Sequence, residues 1–281
     1  MKTIDLHTHS LASDGAQVPA EVVRTAHAAG LAAMALSDHD TIDGVAEAMA
    51  EGERLGIEVI PAVELSAQSD TELHILGYFI DIQSKKLIDA MGYALQVRDE
   101  RQEETCAKLN EQGFAITMEE LREEANGNPV LCRAHFAQIM VRKGYAPSVQ
   151  DAFRQYLSVG CYAYSNRQAF TAKECISIIR EAGGLPVAAH LHLIKKPDDE
   201  LREYLRELIS YGLEGVEGYY TDYTPDMDAR YRAMAAELGL CISGGTDYHG
   251  ANKPHIAIGK GRGNLEIPYS VLEGLKARYE G

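Results

Sequence analysis

The chain of 281 residues is short of positive charge: 27 Lys and Arg stand against 42 Asp and Glu, a formal net charge of −15. That balance argues against a protein that grips nucleic acid through a basic face. With 46% hydrophobic and 25% charged residues, the composition also argues against a disordered or fibrous chain. No apolar run approaches the roughly 20 residues needed to span a bilayer. The N-terminus, Met1 to His7, turns polar before any signal-peptide core forms, so a cytoplasmic protein with no membrane association is expected. The five cysteines (106, 132, 161, 175 and 241) are odd in number and show no CxxC spacing, which points to reduced thiols and no disulfides. Internal repeats and low-complexity tracts are absent. The deficit of basic residues leaves room for a phosphorylated substrate, because bound metal ions supply charge that no residue count shows.

Residues 1–82 alternate short apolar runs with helical patterns. Strands are expected over 3–7, 33–37, 58–63 and 73–80, with helices over 19–29 and 42–55 ending near Gly30 and Gly56. Such alternation implies parallel pairing with right-handed crossovers. The rhythm changes near Gln83, after which 87–112, 118–125, 132–143 and 149–157 read as helices. The dense run Arg98-Asp99-Glu100-Arg101-Gln102-Glu103-Glu104 marks a solvated helix face by default. Alternation resumes at Thr171: helices over 172–182, 200–211 and 225–238 lead to strands over 185–189, 213–218 and 241–243, before a last helix over 270–279. The simplest account is one barrel-like α/β domain, 1–82 and 166–281, interrupted by a mostly helical insertion, 83–165.

In parallel α/β folds the chemistry lies at the C-terminal ends of the strands. His7 and His9 follow the first expected strand, with Asp14 in the same loop. Asp38 and His39 follow the second, and Glu64 the third. His74 lies near the start of the fourth. His190 and His192 follow 185–189, and Asp247 and His249 follow 241–243. Imidazoles and carboxylates are the side chains that bind borderline-hard divalent metals. Ten histidines in this length give about 0.4 His-x-His pairs by chance, and the chain has two. The pairs alone are suggestive; the placement of His, Asp or Glu in five separate loops is harder to explain as packing and indicates a metal site.

Asp5-Leu6-His7-Thr8-His9, Ser37-Asp38-His39-Asp40, Ala189-His190 and Thr246-Asp247-Tyr248-His249 resemble, in order, the four motifs of the PHP (polymerase and histidinol phosphatase) family. The resemblance covers 1–82 and about 166–281 and implies a distorted (β/α)7 barrel, related to amidohydrolases, with two or three divalent ions (Mn, Fe, Zn or Mg). Carried over by motif, it implies one ion on His7, His9, Glu64 and Asp247, a second on Glu64, His74 and His190, and a third on Asp14, His39 and His249. Asp14 stands where many members have histidine, which makes that site harder and more tolerant of Mn²⁺ or Mg²⁺. His190 is followed by Leu191 where the family usually has proline. The implied chemistry is phosphoester hydrolysis in which a hydroxide shared by the ions attacks phosphorus, with no covalent protein nucleophile.

Substrate choice is expected to lie in the insertion. Asn128-Pro129-Val130-Leu131-Cys132-Arg133-Ala134-His135-Phe136 puts Arg133 and His135 at a helix start, where backbone N–H groups favour anions. Arg133 suits bidentate phosphate binding; the competing reading is an exposed arginine and a histidine that caps its own helix. An Arg-x-His in the insertion is similar to that of PHP proteins acting on nucleoside 3′,5′-bisphosphates or short RNA 5′ ends. His192 is a candidate general acid or a packing residue. Lys195 and Lys196 are candidates for a second phosphate, Tyr219, Tyr220 and Tyr223 for base stacking or structure, and His27 and His255 are assigned no function. The expected protein is therefore a metal-dependent hydrolase of a small phosphorylated metabolite, with the 3′-phosphate of nucleoside 3′,5′-bisphosphates as the leading substrate and no stable polynucleotide complex. The alternatives are a cyclic phosphodiesterase, a 5′-3′ exoribonuclease on short RNA, and a non-catalytic metal- or phosphate-binding module.

Overall fold

The computed structural model describes residues 2–125, 127, 130–165 and 168–281. Strand β1 (Thr3–Thr8), helix α1 (Pro19–Ala28), β2 (Ala33–Leu36), α2 (Val45–Leu55), β3 (Glu58–Gln68) and β4 (His74–Tyr78) form the first part of the barrel. Four helices follow: α3 (Lys85–Glu111), α4 (Met118–Glu124), α5 (Arg133–Arg142) and α6 (Val149–Ala152). A π-helical turn over Phe153–Leu157 continues α6. The short β5 (Phe170–Thr171) then leads through α7 (Ala172–Glu181), β6 (Leu185–Ala188), α8 (Asp198–Tyr211), β7 (Gly215–Tyr220), α9 (Pro225–Leu238) and β8 (Cys241–Gly245). β9 (Ile267–Pro268) and α10 (Ser270–Glu280) end the fold. Among the described residues no helix is long and apolar enough to cross a membrane.

The strands run in the order β8-β7-β6-β4-β3-β2-β1-β9, with β5 on β3. Seven of them nearly close a barrel, because His9 N–H donates to the Tyr248 carbonyl and Asp247 N–H to the His7 carbonyl across the β1–β8 seam (2.8 and 2.9 Å). Parallel pairing, expected throughout, fails at β4, which is antiparallel to both β3 and β6. The reason is the connection: only five residues separate β3 from β4, too few for the crossover that parallel strands require. This reversal carries function, because it turns the N-terminal end of β4, and His74 with it, toward the C-terminal ends of the other strands.

The strands read as continuous apolar runs because both faces are covered. Ala33 and Ala35 of β2 face the barrel interior with Ile60 and Ala62 of β3 and Leu76 and Tyr78 of β4. Met34 and Leu36 pack outward on α1 and α2. The period of two then places Glu64 on the inward face after Ile60 and Ala62, and His74 on the same face as Leu76 and Tyr78. Glu64 therefore lies within β3, which runs five residues beyond the expected end at 63.

Helix α3 belongs to two cores. Its Leu87, Met91 and Ala94 pack with α7 outside the barrel, whereas Cys106 and Leu109 join Phe136, Ile139, Met140 and Leu157 in a separate apolar cluster. At 27 residues it spans about 40 Å, and its middle passes over the open end of the barrel. The charged run there is not a solvated face: Arg98, Arg101 and Gln102 are buried. They continue the Leu87-Met91-Ala94 stripe at helical spacing, a periodicity that the surrounding acids hide in the sequence.

Buried Asp5 locks the β1–β8 seam. Its Oδ1 accepts the Thr246 N–H (2.9 Å) and the His7 N–H (3.3 Å), and its Oδ2 the Thr246 hydroxyl (2.5 Å) and the Gly259 N–H (2.8 Å). In Asp5→Asn, whichever way the amide turns, one pair of donors faces an NH₂ group. Urea unfolding should show a loss of about 2–4 kcal/mol.

Candidate metal centre

Five imidazoles converge on one carboxylate. Glu64 Oε2 lies 3.2 Å from His7 Nε2, 3.3 Å from His9 Nε2 and 3.1 Å from His39 Nδ1. Its Oε1 lies 2.9 Å from His74 Nδ1 and 3.0 Å from His190 Nε2. Asp247 Oδ1 is 3.2 Å from His9 Nε2 and 3.3 Å from His249 Nδ1, while Asp14 Oδ1 is 3.0 Å from His249 Nε2. His39 Nε2 is 3.9 Å from Asp14 Oδ2. All nine residues named from the sequence as candidate ligands thus meet in one cluster. Three groups within it have the spacing to hold a cation: His7, His9 and Glu64; His39, Glu64 and His74; and His9, Asp14, His39 and His249.

Tautomers decide what this cluster can bind. His7 Nδ1 donates to Glu217 Oε1 (2.9 Å), so a neutral His7 presents the Nε2 lone pair to the Glu64 oxygen. His249 Nδ1 donates to the Asp247 carbonyl (2.8 Å), so its Nε2 lone pair likewise faces Asp14. Among the described residues, His7 Nε2, both nitrogens of His9, His39 Nδ1 and Glu64 Oε2 are buried without a hydrogen-bond partner. Lone pairs facing lone pairs in a dry interior repel unless a cation lies between them. Bonds of about 2.1 Å to such an ion put neighbouring donors roughly 3.0–3.4 Å apart, the spacing seen here. The donor set of imidazole and carboxylate suits Zn²⁺, Mn²⁺ or Fe²⁺.

The charges agree. Burial pushes the Glu64 carboxyl up, but the His39, His7 and His74 rings outweigh it and hold the group well below the usual carboxylate range. Asp247, buried beside Lys253 and His249, and Asp14, buried beside His249 and His39, are held down in the same way. Burial drives His39 well below the ordinary histidine value. His7 and His74 go the other way: burial lowers them, but Glu64 and Glu217 beside His7, and Glu64 beside His74, outweigh it and raise both above the ordinary histidine value. Neutral imidazoles and anionic carboxylates are the forms that bind metal, so these two rings give up a proton when metal binds.

The surrounding groups fix these side chains. Glu217 Oε2 accepts the His190 N–H (2.5 Å) while its Oε1 holds His7. Asp38 accepts Ser10 N–H (2.7 Å) and the Ser10 and Ser13 hydroxyls (2.6 and 2.5 Å), shaping the loop that carries His9 and Asp14. Asp40, His190 and Asp247 have φ of 51°, 28° and 56°, each a left-handed conformation costing about 1–3 kcal/mol. Gly245 is required by close approach, because a Cβ there would lie 2.2 Å from His7 Cβ. Of these, Glu217 was missed in the sequence, although a lone acid inside the apolar run Val216-Glu217-Gly218 signals a buried carboxylate with a partner.

A cleft of about 410 Å³ opens over the cluster. The barrel contributes seven of the nine ligand candidates, all but the fully buried His7 and His9, with Glu72, Lys195 and Lys253; the insertion contributes Arg98, Arg101 and Arg133. Arg98 pairs with Asp40. Arg101 donates to Gln168 Oε1 (2.8 Å), and burial next to Arg98 and Arg133 lowers its guanidinium to about 9. Arg133 donates to the Leu157 carbonyl (3.2 Å) and lies 5.2 Å from the Tyr164 ring. Asn128 and Pro129, part of the motif around it, lie outside the described residues, as do Asn166 and Arg167 at the start of the second barrel segment.

Two sequence candidates are placed elsewhere. His135 does not line the cleft; its Nδ1 accepts the Cys132 N–H (3.2 Å) and caps its own helix. His192 also lies outside the lining and packs 5.4 Å from the rings of both Tyr220 and Tyr223. Those tyrosines are committed as well: Tyr220 donates to Asp247 Oδ2 (2.8 Å) and Tyr223 accepts the Leu191 N–H (2.7 Å). Tyr219 lies under the Arg232 guanidinium. Lys195 reaches the cleft, whereas Lys196 lies over the Tyr204 ring. His27 and His255 are exposed.

The chain matches the PHP domain over residues 5–257. It belongs to the PHP family. The PHP chain is 31% identical over 272 residues to a 5′-3′ exoribonuclease of Haemophilus influenzae, covering 96% of this chain and 97% of that one. It is 31% identical over 250 residues to a 3′,5′-nucleoside bisphosphate phosphatase of Chromobacterium violaceum, covering 89% and 88%. Its fold superposes with a TM-score of 0.88 and 29% identity on an amidohydrolase of Chromobacterium violaceum solved with sulfate and no metal, over 98% of this chain and 96% of that one.

Glu217 should tune the PHP centre through His7. In Glu217→Gln the amide no longer fixes the His7 tautomer, and metal titration followed by calorimetry should give a 10–100-fold loss of affinity. An unchanged affinity would show that Glu217 is structural only.

Proposed function

We propose that this metal-dependent phosphoesterase removes the 3′-phosphate of a nucleoside 3′,5′-bisphosphate. The observation that carries the proposal is a single cleft that joins the His/Asp/Glu centre of the barrel to Arg101 and Arg133 of the insertion. A substrate with one phosphate to cleave and another to anchor matches that pairing. At about 410 Å³ the cleft falls in the range of small-molecule sites, roughly 300–1,000 Å³, and suits a mononucleotide.

In this reading His7, His9, Glu64 and Asp247 hold one divalent ion, Glu64, His74 and His190 a second, and Asp14, His39 and His249 a third. When bound, such ions supply Lewis-acid charge against the oxygens of the phosphate that reacts. The protein's own groups orient and exclude. Glu217 and the Asp247 carbonyl hold His7 and His249 with their lone pairs inward. Lys253 and Tyr220 occupy Asp247 Oδ2 (2.7 and 2.8 Å), leaving Oδ1 for the centre. Arg133, with Arg101 beside it, grips the phosphate that is not cleaved. The insertion 83–165 covers the active site, and five unpaired thiols suit a cytoplasmic setting.

A second reading, 5′-3′ exonuclease action on short RNA, is supported by the Haemophilus influenzae relative. It uses the same anchor for a 5′-phosphate and the same centre for the following phosphoester.

Phosphate release with Mn²⁺ should be strong on adenosine 3′,5′-bisphosphate within a panel of monophosphates, cyclic phosphates and sugar phosphates. Stepwise shortening of a 5′-phosphorylated oligoribonucleotide with no release from the bisphosphate would favour the second reading. Activity on nothing in the panel would favour a non-catalytic binding module. Arg133→Ala should lower kcat/KM on the bisphosphate about 100-fold, and on adenosine 3′-monophosphate, which lacks the anchored group, by less than about 5-fold. Equal losses on both would contradict the anchoring role.

A further inference from the structure

Glu72 is out of place in a cleft built for anions. It lines the cavity over the metal centre, yet it joins none of the groups spaced to hold a cation. Neighbouring carboxylates are engaged: Asp40 by Arg98, Asp247 by Lys253, Asp14 by His249. Among the described residues, no hydrogen bond or ion pair is formed by the Glu72 side chain. Its loop is nevertheless fixed, because the Thr71 hydroxyl donates to the Ile194 carbonyl (3.1 Å) and the Thr71 N–H to the Ser69 hydroxyl (3.2 Å). The loop is thereby pinned to the turn that carries His190.

Glu72 shares the cleft lining with His74 and His190 of the centre, with Arg133 of the insertion and with Lys253. An anion within reach of both the cleaving centre and the anchoring arginine repels phosphate at either place. It is useful only against a neutral donor between them, and in a nucleotide carrying two phosphates the group between them is the sugar. A carboxylate accepts charge-assisted hydrogen bonds from hydroxyls and finds no donor in the ring ether. Base N–H groups also donate to carboxylates, but the base hangs off the sugar rather than lying between the phosphates.

We propose that Glu72 is a specificity residue that accepts a hydrogen bond from the ribose 2′-hydroxyl, so that the enzyme selects ribonucleotide over deoxyribonucleotide phosphoesters. This inference rests on the nucleotide reading above. A site built to hydrogen-bond a hydroxyl rejects the analogue that lacks it, because its polar group is then left unpaired.

The test compares kcat/KM on adenosine 3′,5′-bisphosphate and on its 2′-deoxy analogue, each with Mn²⁺, for the wild type, Glu72→Gln and Glu72→Ala. Taking the ratio within each protein cancels any loss of folded or metal-loaded enzyme. The wild type should prefer the ribose form by 30-fold or more. The ratio should fall below about 3 in Glu72→Ala and lie between the two in Glu72→Gln, which keeps one accepting oxygen. Hydrolysis of both substrates with no wild-type preference, or a ratio that survives in Glu72→Ala, overturns the role of Glu72 and leaves the function standing. Release from neither substrate removes the nucleotide reading, and this inference falls with it.

Discussion

The whole molecule is organised around one buried carboxylate facing five imidazoles. Glu64 cannot satisfy them: two oxygens meet five ring nitrogens at 2.9–3.3 Å, and His7 Nδ1 is already taken by Glu217. Such a cluster in a dry interior is unfavourable in isolation. It becomes favourable when cations occupy the spaces between donors, which converts the accumulated repulsion into coordination.

The barrel exists to enforce that crowding. Period-two alternation on β3 and β4 brings Glu64 and His74 to the same interior layer, and the antiparallel turn of β4 supplies an imidazole from a strand that would otherwise point the wrong way. Left-handed backbone at His190 and Asp247 and the close approach of Gly245 to His7 are local costs. The surrounding hydrogen bonds of Asp5, Asp38 and Glu217 offset them. The insertion adds what the barrel lacks. It brings guanidinium groups to a site rich in acids, within a chain whose net charge is −15.

Much of this was legible in the sequence. The nine candidate ligands could be named because each lies at a strand end or beside a motif, and the barrel followed from the alternation of strands and helices. What stayed hidden depended on geometry that spacing does not encode. The direction of β4 was set by the length of a loop. Arg98 and Arg101 looked solvated because acids surround them in sequence, although in space they complete the buried stripe of α3. His135 and His192 lie next to the right residues along the chain, but backbone direction turns one into a helix cap and the other against two tyrosine rings. Glu217 lies inside its strand rather than just past its end, where ligands were expected, although a lone acid in an apolar run already marks a buried carboxylate.

The most direct test of the central claim is anomalous diffraction from crystals grown with Mn²⁺, recorded above and below the manganese edge. The account predicts anomalous peaks about 2.1–2.3 Å from His7 Nε2, His9 Nε2 and Glu64 Oε2, with Glu64 shared between neighbouring peaks. A Mn²⁺-saturated crystal with no anomalous density in the cluster, or with the Glu64 side chain turned away from His7 and Asp247, would contradict it.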